Sequence, residues 1–134
     1  MMMQYNKRMG LKFWLLLGVI LMSAMAFSQT TPMASRKPLT EDQKIEALIA
    51  GVEKANGIQF FRNGSYHDAA TAASHLRLKR KKAGSAVKTA AAFIDKLATK
   101  SSMSGEEYRI RYANGKEVKA RDYFYAQLKA IESK

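Results

Sequence analysis

Residues 108–119 read YRIRYANGKEVK, and this stretch decides the fold class. Tyr108, Ile110 and Tyr112 alternate with Arg109 and Arg111, the period of two that marks a strand with one covered face. Asn114-Gly115 is a tight-turn pair, because both residue types tolerate positive φ, and Glu117-Val118-Lys119 then returns as a short second strand. The flanking segments carry helical patterning. The expected fold is therefore a small, mostly helical α+β single domain, about four helices with one short β-hairpin.

Upstream, Thr40 is placed to cap a helix, with Gln43 three residues on to complete a capping box. Ile45, Leu48, Ile49 and Val52 form its apolar stripe, and Asn56-Gly57 marks its end. Ile58 to Phe61 is too short and aromatic for a helix and reads as a strand-like link closing at the Asn63-Gly64 turn. Ser65 is expected to cap a second helix, with Asp68 at the capping-box position, Tyr66, Ala69, Ala70, Ala73 and Leu76 inward, and Gly84 as its stop. A third helix is expected over 85–98, with Val87, Ala90, Phe93, Ile94 and Leu97 inward, then a loop over 101–105. A last helix from Asp122 carries Phe124, Leu128 and Ile131.

The first 28 residues have the parts of a secretory signal. Lys7, Arg8 and Lys12 make a basic start, Phe13 to Met22 an apolar centre, and small residues around Ala24 to Ser28 an exit. A membrane anchor is the alternative, but a spanning helix needs about 20 apolar residues and the polar stretch from Ser28 ends this run early. The expected organisation is a signal peptide over 1–28, cut after Ala26 or Ser28, a flexible lead over 29–38 and one domain over 39–134. Met1, Met2, Met3 and Met9 are all candidate starts.

Removing that segment leaves 106 residues with 20 basic against 11 acidic side chains, about +9, a balance that favours anionic partners. Anionic envelope polymers and acidic proteins fit an exported chain better than nucleic acid does, but solubility and ordinary surface charge are the slightly favoured explanation of the balance. With no cysteine, disulfides and thiol chemistry are excluded and a packed core must supply stability.

No catalytic frame is visible. The chain has no phosphate-binding loop, no dinucleotide fingerprint and no nucleophile elbow around Ser101, Ser102 and Ser104, so a serine hydrolase using His75 is the least favoured reading. His67 and His75, placed on one helix, would stand about 12 Å apart and could not share a metal. No cofactor, metal or catalytic residue is therefore assigned. The densest basic run, 75–82, reads either as a solvated positive helix end or as an anion clamp of Arg77, Arg80 and Lys81. More pointed is Phe61-Arg62-Asn63-Gly64, where an arginine after two aromatics can brace a loop or grip a carboxylate. The candidate binding residues are Arg62, Asn63, His75, Arg77 and Lys79, joined by Tyr108.

These residues also carry a resemblance. Phe61-Arg62-Asn63-Gly64, His75-Leu76-Arg77-x-Lys79, Thr89-Ala90-x-x-Phe93-Ile94, Ser101-Ser102-Met103-Ser104-Gly105-x-x-Tyr108 and Gly115-Lys116-x-Val118 resemble, in this order, the YfeK-like family of small exported bacterial proteins. The likeness covers roughly Leu39 to Glu132. It implies a periplasmic protein and brings no assigned activity. The chain departs from the pattern at Ala91 and Ala92, where acidic residues are usual, which argues further against acid–base catalysis.

Overall fold

Helix α1, Glu41–Glu53, starts at the expected capping box: the Thr40 hydroxyl accepts the Gln43 amide (3.2 Å) and the Gln43 side chain accepts the Thr40 amide (2.9 Å). Its stripe of Ile45, Leu48, Ile49 and Val52 is fully buried. The computed structural model describes residues 35–134, so the expected signal segment and most of the lead lie outside the described residues. Lys37–Lys134 forms one compact unit.

The first correction follows α1. Asn63-Gly64 does not lead into a helix. It is the two-residue turn of a hairpin between β1, Gln59–Arg62, and β2, Ser65–His67. Both turn residues have positive φ (47° and 80°), the conformation whose twist matches that of paired strands. Ser65 is thus a strand residue paired with Arg62, and Tyr66 is exposed on the sheet instead of buried on a helix. Asp68 is the N-cap of α2, Ala69–Ala83, and accepts the Thr71 amide at 2.8 Å. Gly84 ends α2 with φ +52°, as expected.

The second correction concerns the third helix. Gly84–Ala86 is a separate 3₁₀ turn and Val87 is extended, though buried. Helix α3, Ala90–Phe93, begins only at the Thr89 cap, and Glu41 of α1 accepts the Ala90 amide at 2.8 Å. That amide, followed by the Lys44 ammonium, holds the Glu41 carboxyl below its usual range. After Phe93 the helix widens into a π-turn, Ile94–Ala98, and the Thr99 hydroxyl donates to the Ile94 carbonyl at 2.7 Å. Such widened turns often accompany functional sites because they displace the following residues.

Strands β3, Arg109–Arg111, and β4, Glu117–Lys119, form the predicted hairpin, and β3 also pairs with β1. The fold class is as expected, but the sheet is larger than one hairpin: four antiparallel strands in the order β2-β1-β3-β4. Helix α4, Ala120–Glu132, starts directly from β4, two residues before the expected Asp122. Phe60 and Ile110 face the helical layer, where Phe60 meets Tyr123 edge to face with ring centres 6.5 Å apart. The opposite sheet face is polar. There Arg111 lies 3.8 Å above the Tyr66 ring, the Tyr66 hydroxyl donates to Glu117, and Arg111 pairs with Glu117 at 3.3 Å. No helix among the described residues is long and apolar enough to cross a membrane.

Candidate functional site

Strand parity places Arg62 on the same face as Phe60, and the register sets His67 opposite Phe60. Both side chains are thereby turned toward α2, whose first turns carry Thr71, His75 and Leu76. The result is a cavity of about 40 Å³ between sheet and helices. Its polar lining is Arg62, His67, Thr71, His75 and Tyr108; its carbon walls include Phe60, Leu76, Ala98 at the end of the π-turn, and Phe124.

Three of the six expected binding residues meet here. The Tyr108 hydroxyl lies 3.4 Å from His75 Nε2, and Arg62 is close enough to shift the titration of both. Lys79 is beside the cavity: its ammonium donates to the Tyr108 oxygen and to the Lys100 carbonyl, each at 3.1 Å, and lies 4.9 Å from the Tyr108 ring centre. Because that oxygen already accepts from Lys79, the Tyr108 hydroxyl proton is left to donate, toward His75 or into the cavity.

Two expected members do not join. Asn63, at the turn, accepts the Ser104 hydroxyl at 2.7 Å and so ties the hairpin to the loop that follows α3. Arg77 points to α1, where it pairs with Glu53 at 2.8 Å. The basic run is divided likewise. Arg80 pairs with Asp42 at 2.9 Å and with Glu46, Lys79 turns inward, and Lys81 and Lys82 are the exposed cations. An anion clamp of Arg77, Arg80 and Lys81 is therefore not assembled: two of its members are neutralised by α1. Ser101 is buried at 4% exposure, and its hydroxyl oxygen accepts the amides of Met103 and Ser104.

His67 and Thr71 were missed by sequence reasoning. His67 stands on β2 and not on the helix of His75, so the two imidazoles line one cavity instead of standing about 12 Å apart along one axis. The signal was present in the Asn63-Gly64 pair, which fixes a two-residue hairpin register.

The electrostatics are one-sided. Burial, then the charges of Arg62, Lys79, His67 and Lys82, pushes His75 down to about 4, so its ring is neutral near pH 7. Burial and then Arg62 lower Lys79. Burial raises the Tyr108 phenol, against the opposing influence of Arg62 and Ser101. No carboxylate side chain lines the cavity, and Arg62 has no ion-pair partner among the described residues. Asp68 is nearby in sequence, but its carboxylate is engaged by the amide and hydroxyl of Thr71.

Residues 39–132 match the model of a family of unknown function (DUF5329). The chain is also 34% identical over 89 residues to the uncharacterized protein YfeK of Salmonella typhimurium, a stretch covering 66% of this chain and 74% of that relative. No solved structure matches. The match spans every helix and strand that builds the cavity, and by that measure the chain belongs to the family of unknown function DUF5329.

Proposed function

We propose that this protein is an exported, non-enzymatic module that binds a ligand in the cavity beneath β1 and β2. The observation that carries the reading is the convergence of Arg62, His75 and Tyr108, with His67, on one cavity that contains no carboxylate. A structural brace would be expected to satisfy its arginine internally, as Arg77 and Arg80 are satisfied by α1. Arg62 is not. Export is supported by the basic start and apolar run within residues 1–28 and places the ligand among periplasmic or envelope components.

The test is an amide-spectrum titration of the isotope-labelled protein with a panel of envelope components and extract fractions. Saturable shifts centred on Arg62, His67, His75 and Tyr108 are expected. Arg62→Ala with His75→Ala should abolish them at pH 7.5 while leaving the thermal midpoint nearly unchanged. A large loss of stability with binding intact would show the cluster to be a brace. Export is checked separately, by the mass of the protein recovered from a periplasmic fraction, which should correspond to a cut after Ala26 or Ser28.

A further inference from the structure

The cavity's chemistry is specific about what would enter it. Thr71 is committed to Asp68, which leaves Arg62, His67, His75 and Tyr108 as the polar side chains along the cavity; the surface that the enclosed space meets is almost all carbon, so their polar atoms meet a guest at its margin. Arg62 offers only donors, and the Tyr108 oxygen accepts from Lys79, leaving its proton to donate toward His75 or into the cavity. Each imidazole can present an N–H. A guest that supplies oxygen acceptors and negative charge complements this set of donors. The walls, by contrast, are largely carbon: Phe60, Leu76, Ala98, Ala120 and Phe124. A fully polar anion would leave oxygens against those walls without partners, which is unfavourable. At about 40 Å³ the cavity has room for only a few water-sized spheres of roughly 10–15 Å³ each, so the enclosed part of the guest must be compact.

Resting on the reading that this cavity is a binding site, we propose that it takes a monocarboxylate with a compact apolar body: the body against Phe60, Leu76 and Phe124, and the carboxylate on the Arg62 fork beside Tyr108 and His75. The planar guanidinium holds two carboxylate oxygens in parallel, which a point charge such as lysine does not reproduce. Lys79 acts as a positioning residue, fixing the Tyr108 phenol through its second contact to the Lys100 carbonyl just beyond the π-turn.

The experiment compares isobutyrate with isobutyramide, which have the same shape and differ in charge, and adds inorganic phosphate as a third probe. Each is titrated into the isotope-labelled protein at pH 7.5 while amide shifts at His67, His75 and Tyr108 are followed. Isobutyrate is expected to bind at least about tenfold more tightly than the amide, the range of one charge-assisted hydrogen bond. Arg62→Met should erase that ratio, and Arg62→Lys should recover only part of it. Equal binding of acid and amide would overturn the carboxylate assignment while leaving the cavity a binding site. Phosphate binding more tightly than isobutyrate would overturn it in favour of a polar oxyanion. No shift from any of the three would refute the monocarboxylate, and no shift from the envelope panel either would refute the binding reading itself. The acid-to-amide ratio is read on the unmodified protein, so the test stands even where a variant misfolds.

Discussion

Acidification should destabilise this protein through His75, and the size of the effect can be worked from the site. In the unfolded chain His75 takes up its proton below its ordinary value of 6.5; in the folded chain it does so only near 4. Between those values the unfolded state binds more protons, so the contribution to stability is complete above pH 6.5 and is lost as pH falls toward 4. For a wholly shielded group the loss at pH 4.5 would be about 2–3 kcal/mol. His75 is only partly buried, and solvent at the cavity mouth cuts this to about 1 kcal/mol. The groups facing the ring are Arg62 of β1, His67 of β2, Lys79 and Lys82 of α2, and Tyr108 immediately before β3. None is a carboxylate that would favour the imidazolium. The assay is urea unfolding at pH 7.5 and 4.5 for the native sequence and for His75→Gln. Glu41, Asp68 and Glu117, whose carboxyls are held below their usual range, lose stability on acidification in both proteins and cancel in the comparison. The native sequence should lose about 1 kcal/mol more than the variant, equivalent to about 4–8 °C in midpoint for a domain of this size. Equal losses would refute the claim that a cationic, poorly solvated cavity surrounds His75.

Three further outcomes follow from the fold. Phe93→Ala removes a fully buried ring and should cost about 3–5 kcal/mol in denaturant unfolding; a loss below about 1 kcal/mol would mean the core collapses around the gap. Gly64→Ala should cost about 1–2 kcal/mol through its φ of +80° alone, since nothing lies within 4 Å of the added carbon; an unchanged midpoint would contradict the turn assignment. Arg80→Ala breaks contacts to Asp42 and Glu46 at a solvated surface and should cost at most about 1 kcal/mol, falling with added salt as exposed pairs do.

The helices were legible where a local rule acts alone. The Thr40 and Gln43 pair caps α1 because two side chains and two amides three residues apart suffice, and the Ile45 to Val52 stripe needs only the helical period. The hairpin over 109–119 was legible for the same reason, alternation on one side and Asn-Gly at the turn. At Ser65 two local rules compete. A serine three residues before Asp68 imitates a capping box, while Asn63-Gly64 calls for a hairpin. The hairpin prevails because β1 is also paired on its other edge with β3, a partner more than 40 residues away, and β2 extends that sheet while Asp68 still caps the helix. The late start of α3 has a similar origin, since the Glu41 carboxylate that serves its first turn comes from α1.

The composition of the site follows from the same competition. Had Ser65 opened a helix, His67 would lie on the axis of His75 and face the same environment only at a distance. As a strand residue opposite Phe60 it is returned to the cavity that His75 also lines. Arg77 is separated by elementary geometry: two residues beyond His75 is about 200° around the helix, the far side, where Glu53 receives it. Lys79, four residues beyond, is back on the face of His75 and reaches Tyr108. Helical spacing alone was therefore sufficient to remove Arg77 and retain Lys79. What spacing could not supply is that Arg62, His67 and His75, drawn from three different elements, and Tyr108, from the segment leading into β3, would converge without a carboxylate among them. That one-sided charge is a property of the assembled layers. It is also the property on which the proposed preference for an acid over its amide rests.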